Sequence, residues 1–475
     1  MSEKEKSKPK ASQPSYELPS SWQNTWKMFA GVGVVGAAIT LGAGMSGNTE
    51  RMAFSWLFAF ITCLTVALGA MFFVLIQRLT SAGWSVTVRR TAEFFAHGLI
   101  VFPVLFVPVL LFMGHIFPWL GHHGAGHEGG GHAATTTVVR EARADELPAD
   151  PHAAKADPHG AAPAAHAAAP AAHGDAHGAI KSGHMPDPHA VIHGELMEKK
   201  APYLNKNFFI IRAVIYFLIW IVLATRLFGL STKQDSSKSP ELTLQAQRLA
   251  PPATFLFGLS LTFAAFDWIM SLEPAWFSTI FGVNIFAASV VSSLAVIILV
   301  TLQLRDSSAP IKSVITIEHY HDLGKLMFGF LVFWAYIGFS QFMLIWYAAL
   351  PEETTWYHHR WDAGPWELVS KIVLVGHFVL PFFWLISRNF KRNLGRLKVG
   401  AAWLLLMHIV DIYWFVMPNF RIEHQNEFAF HWLDATSLLA VGGIYLAVVF
   451  HRMTQHPMIP VGDPRLARSV AFQNA

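Results

Sequence analysis

The stretch Leu261–Ser278, LTFAAFDWIMSLEPAWFS, is apolar enough to lie in a bilayer, yet it holds Asp267 and closes on Glu273-Pro274. The fold turns on whether this is a membrane span with a carboxylate inside it or the core helix of a soluble domain. Of the 475 residues, 53% are hydrophobic and 14% charged, and long apolar runs recur; that profile belongs to membrane proteins. A span needs about 20 apolar residues. Ten are readable: 26–45, 53–78, 92–117, 208–230, 252–272, 279–304, 324–349, 366–388, 398–417 and 433–452. The expected fold is therefore an all-α polytopic membrane protein. A tail over 1–25 precedes spans 1–3 (26–117), a loop covers 118–207, spans 4–10 fill 208–452, and a second tail covers 453–475.

An even number of spans puts both termini on one side. Lys and Arg crowd the tails and the loops on that side, whereas the short loops opposite carry only Arg51, Arg360 and Arg421. The positive-inside rule makes the terminal side cytoplasmic. The first residues, MSEKEKSKPKASQPSYELPSSWQ, lack the apolar core and cleavage site expected of a signal peptide. Cys63 is the single cysteine, so neither a disulfide within the chain, an iron–sulfur centre of its own nor c-type haem attachment is expected. Nothing points to nucleic acid.

The loop over 118–207 is rich in Ala, Pro, Gly and His and holds about half of the 24 histidines. Its spacing is irregular, and repeated Pro and Gly prevent a rigid cage. It reads as a solvated tether on the far side, with loose metal buffering as the alternative. Spans 2–5 and 6–9 can each form a four-helix unit, with spans 1 and 10 peripheral. Each unit begins on the outer side, as parallel repeats would.

Charged groups inside spans are functional-site hypotheses, each needing a partner. Asp267 lies about one and a half turns below the outer interface, and Glu273-Pro274 reads as the helix end there, with Glu273 interfacial. Asp267, beside Trp268, reads as a proton acceptor or a ligand for a quinone headgroup. The alternative is a structural tie to a neighbouring hydroxyl or Trp N–H. Spans 8 and 9 form a hairpin in which Lys371 and Asp411 match in depth, above a layer of His377 and His408. That predicts a Lys371–Asp411 pair, serving either as part of a proton relay or as a packing tie. On the cytoplasmic side Glu93 and His97 open span 3, and Glu318, His319, His321 and Asp322 lead into span 7. They read as a proton entrance or as interfacial caps. Gln341, Tyr336 and Ser340 could extend a wet path inward. Haem is not expected between His377 and His408, because adjacent antiparallel helices lie too close for a macrocycle.

Three motifs then carry a resemblance: AGWSVTVRRTAE (82–93), FDWIMSLEPAWFSTIFGV (266–283) and EHYHDLGKLMFGFLVFWAYIGFSQFMLIWYAALPEET (318–354). Together they resemble the NrfD-like membrane subunits of bacterial alternative complex III, a quinol:cytochrome c oxidoreductase, and more closely the second such subunit. The likeness covers all ten spans but not the His-rich loop. It implies two four-helix bundles with flanking helices and no covalently held cofactor. It also implies a sister NrfD-like subunit, an iron–sulfur subunit and c-type cytochrome subunits as partners, with quinol or menaquinol as substrate among the membrane lipids. Members of the polysulfide-reductase type bind quinone near the outer side, where this reading puts Asp267, although the sister subunit is the stronger candidate for quinol oxidation. The implied location is the bacterial inner membrane, with the His-rich loop periplasmic. A proton-coupled secondary transporter and a structural anchor for redox subunits are the rival readings.

Overall fold

The computed structural model describes residues 16–121, 196–361, 364–421 and 430–474. The His-rich run that drew the metal reading, and most of the N-terminal tail, lie outside them. Among the described residues there are helices and no strands. Ten helices are long and apolar enough to cross a membrane: α1 Ser20–Met45, α2 Thr49–Leu79, α3 Val86–Leu111, α4 Lys206–Ser237, α5 Pro240–Leu272, α6 Phe281–Ser307, α7 Ile317–Ala348, α8 Pro365–Ile386, α9 Leu394–Phe420 and α10 Trp432–Met453. The protein is an all-α polytopic membrane protein.

All ten spans read from the sequence are present, and the differences lie in their ends. α3 begins six residues before the expected start at 92. Arg89 and Arg90 lie inside the helix, buried and paired with Glu93, so an apolar count started too late. α5 begins at Pro240 and runs through Pro251 and Pro252, which are exposed. Pro ends many helices by removing an N–H and crowding the preceding turn. Here both prolines sit on the outside of the helix, and the span continues.

Two rings of helices result. α2 packs on α3, α3 on α4, α4 on α5, and α5 returns to α2; α6, α7, α8 and α9 close a second ring in the same manner. The rings meet through α2 against α6, with α5 on α6 and α9 on α2. α2 and α6 are therefore the central helices. Their apolar windows are 83% and 78% buried, against 22% for α1, which leans on α10. The α1–α10 seam is made by glycine. A Cβ on Gly33 would meet the backbone nitrogen of Ile444 at 2.6 Å, and one on Gly36 the backbone nitrogen of Ala440 at 2.8 Å. Such close backbone approach is the usual way helices associate in lipid, where apolar burial offers no advantage over the surrounding chains.

Candidate functional site

Asp267 has its partner in α4. Arg212 stands near the start of α4 and Asp267 near the end of α5, so the antiparallel pair places them at one depth. Nε of Arg212 donates to Oδ2 at 2.8 Å and Nη2 to Oδ1 at 2.9 Å, while the Tyr216 hydroxyl donates to Oδ2 at 2.7 Å. The guanidinium lies over the rings of Tyr203 and Phe208, at 3.8 and 4.3 Å from their centroids. Asp267 is fully buried. This is a bidentate, desolvated ion pair, and a ligand for Asp267 would first have to displace Arg212 or Tyr216. Trp268 stacks on Phe217 at 5.5 Å and packs edge-on to Phe60. Arg212 was missed in the sequence because orientation was read from loop charges. An Arg within NFFIIRAVIYF is itself an intramembrane charge, and matching it in depth to Asp267 would have found the pair.

Glu273 is buried as well, correcting its interfacial placement. Arg360, on the helix Pro351–Trp361 that follows α7, donates from Nη1 to Glu273 Oε1 at 2.7 Å, and His359 Nδ1 lies 3.4 Å from Oε2. Arg360 also reaches the carbonyls of Trp414 and Phe415 at the end of α9, both at 3.2 Å. Burial by itself pushes the Glu273 carboxyl up. Arg360 and His359 outweigh it and hold the group below the usual carboxylate range.

The second ring holds a different kind of cluster. His377 on α8 and His408 and Asp411 on α9 are fully buried near the middle of their helices. Trp334 of α7 donates from Nε1 to Asp411 Oδ2 at 3.2 Å, and its ring lies over the His377 imidazole at 4.2 Å. His377 Nδ1 stands 3.7 Å from Asp411 Oδ2, beyond direct hydrogen bonding. Thr65 of α2 meets His408 Nε2 at 2.9 Å. Both ring nitrogens of His377, Nδ1 of His408 and Oδ1 of Asp411 are buried with no hydrogen-bond partner among the described residues. Buried polar atoms are nearly always satisfied, so four without a partner among the described residues set this cluster apart from the saturated Asp267–Arg212 pair.

Local sequence explains where His377 sits. Val373–Val379 is a π-helical stretch, a form that favours functional sites. Pro381 has no N–H for the carbonyl four residues back, that of His377, and its ring crowds that carbonyl. The wider turn shifts the orphaned acceptor to Gly376, whose carbonyl takes Trp403 Nε1 from α9 at 2.7 Å.

The expected Lys371–Asp411 pair does not form. Lys371 points out of the ring and binds Glu367 on its own helix at 2.6 Å, both side chains more than half exposed. His377 itself lies inside the π-turn, which begins two residues after Lys371. His377, His408 and Asp411 do come together.

The residues read as a proton entrance are mostly engaged in ion pairs at the face bearing the termini. Glu93 is held by Arg89 at 3.0 Å, Arg90 at 3.1 Å and Arg78 at 3.2 Å. Asp463 of the C-terminal tail balances the excess, at 2.6 Å from Arg89. His97, one turn on, stacks instead on Phe228 at 4.7 Å. Glu318 is bound bidentately by Arg392 at 2.5 and 2.8 Å, and Asp322 by Lys325 at 2.5 Å. His319 caps α7 through Thr316, and His321 is buried with Nδ1 unpartnered among the described residues. Gln341 lies toward the opposite face, accepting from Ser278 at 3.0 Å. Tyr336 is exposed, and half-buried Ser340 donates to the Tyr336 carbonyl of its own helix at 2.7 Å. A cavity of about 400 Å³ opens beside Asp322 and Lys325, floored by Phe72, Gln77 and Leu294 of α2 and α6. Among the described residues no three His, Cys, Asp or Glu side chains converge as a metal site.

No protein-family model matches this chain, and no curated protein is significantly similar to it.

Proposed function

We propose that the chain is an integral membrane subunit of a quinol-oxidising respiratory complex of the NrfD-like kind, and that its part in that complex is to move protons through the second helix ring. The observation that supports this is the Asp411–His377–His408 cluster, fully buried near the middle of α8 and α9, with polar atoms that have no hydrogen-bond partner among the described residues. Intramembrane Asp and His groups are the common currency of proton relays. The cavity beside Asp322 reaches Phe72, two turns of α2 from Thr65 and the cluster. It supplies an approach from the face bearing the termini, which is the cytoplasmic one in this reading, as the basic residues there support. Quinol oxidation releases two protons and two electrons. In this reading the quinol binds near the opposite face, at this subunit or its sister. The electrons leave to iron–sulfur and c-type haem centres in partner subunits of a bacterial inner-membrane complex. Asp267 serves this reading as the tie between α4 and α5, because its oxygens are already occupied by Arg212 and Tyr216.

The test is Asp411→Asn and His377→Gln in the purified complex, reconstituted in vesicles with quinol and an electron acceptor. Assembly is expected to persist, while protons moved per electron fall; Lys371→Met, which alters an exposed pair, leaves both unchanged. Full proton stoichiometry in Asp411→Asn would overturn the reading. A proton-coupled transporter is the second reading, favoured by the mid-helix depth of the cluster and the irregular turn in α8. It predicts a chain that purifies without haem-bearing partners.

A further inference from the structure

Thr65 of the first ring touches the proton cluster of the second. Its hydroxyl carries one hydrogen. The oxygen lies 2.8 Å from the Ile61 carbonyl and 3.0 Å from that of Thr62, both on its own helix, and 2.9 Å from His408 Nε2. Carbonyls only accept, so the hydroxyl hydrogen is directed along α2, as threonines in helices commonly arrange. The lone pairs then remain for His408, and the contact is made if Nε2 carries the proton. His408 Nδ1 has no partner among the described residues.

We infer that Thr65 is a positioning residue that holds neutral His408 in the Nε2–H tautomer, so that Nδ1 presents its lone pair as the open proton-accepting site of the cluster. In neutral imidazole the hydrogen bond at one nitrogen decides what the other can do. With Nε2 donating to Thr65, a proton arriving at the cluster adds to Nδ1 and leaves by the same atom, and no tautomer exchange is needed between transfers. The device also couples the rings. Thr65 belongs to α2 and His408 to α9, so a sliding of α2 along α9 is the motion that would release the imidazole and close the acceptor. The consequence for proton transfer rests on the function proposed above; the tautomer does not.

The experiment is nitrogen NMR of the whole protein labelled at histidine with ¹⁵N, with His408 assigned by the signal lost in His408→Gln. The expected spectrum shows His408 Nε2 as the protonated nitrogen and Nδ1 as the bare one. Thr65→Val keeps the side-chain shape but removes the acceptor, and it should move His408 to a mixture or to the opposite tautomer; Thr65→Ser should restore the original pattern. A protonated Nδ1 in the unaltered protein, or a His408 signal indifferent to Thr65→Val, overturns the inference. If the tautomer follows Thr65 as expected but protons moved per electron are the same in all three proteins, the positioning stands and the proton-carrying function fails.

Discussion

At the scale of the residue, charge inside this membrane takes two forms. Asp267 and Arg212 saturate each other. Asp411, His377 and His408 do not. Removing one member of a buried pair leaves an uncompensated charge, at a cost of about 3–5 kcal/mol, whereas replacing both by apolar groups of similar size is nearly neutral. Asp267→Leu is therefore expected to destabilise the protein by that amount in thermal unfolding, and Asp267→Leu combined with Arg212→Met to recover most of it. A double variant as unstable as the single one would mean that Tyr216, which also donates to the Asp267 carboxylate, matters more than the ion pair. None of this pairing follows from composition. Depth along two antiparallel helices suggests it, and contact decides it: the same depth argument that would have found Arg212 for Asp267 wrongly joined Lys371 to Asp411.

At the scale of the element, α8 departs most from a regular helix. Its π-turn follows from Pro381, which is visible in the sequence, and from the Trp403 indole that takes the displaced Gly376 carbonyl, which is not. A buried acceptor left without a donor costs about 1–3 kcal/mol. Trp403→Phe is expected to lower stability by that much and to raise hydrogen exchange in the Val373–Val379 turn. Unaltered exchange there would show that the turn is held by packing alone. α3 gives the complementary lesson. Its first turns carry Arg89, Arg90 and Glu93, and the apolar count excluded the two arginines. The pairing that lets them be buried involves Arg78 of α2 and Asp463 of the tail, which are remote in sequence.

At the scale of the whole molecule, an ion pair joins the two rings near one face, and the C-terminal tail joins them through hydrogen bonds near the other. Glu273 ends α5 of the first ring, and Arg360 carries it to the close of α9 in the second. On the other face the tail brings Asp463 to Arg89 of α3, while Ser469 meets both Thr87 of α3 and His319 of α7. The Glu273 clamp makes stability depend on pH in a definite sense. Its carboxyl is held below its unfolded value of about 4.3, so the folded state is favoured fully above that pH. The contribution is lost as pH falls through the lower, folded value. Glu273→Gln should then melt earlier than the unaltered protein at neutral pH, with the difference shrinking as the sample is acidified below about pH 4. A difference constant with pH would show that the carboxylate charge is not what joins the rings.

Apolar runs of bilayer length, separated by basic or proline-bearing turns, were enough to determine ten helices, their order and the all-α membrane architecture, because in hydrocarbon a backbone must satisfy its own hydrogen bonds within each span. The closing of α2–α5 and α6–α9 into rings was also legible, since short connections make neighbours of successive helices. Only the tertiary structure decided which charges meet. A helix can turn about its axis without changing its apolar length, so the sequence leaves open whether Lys371 faces Asp411 or the outside, and whether Asp267 meets a ligand or Arg212. Packing of each helix against its neighbours sets that rotation. It turned Asp267 to Arg212 and brought His377, His408 and Asp411 together.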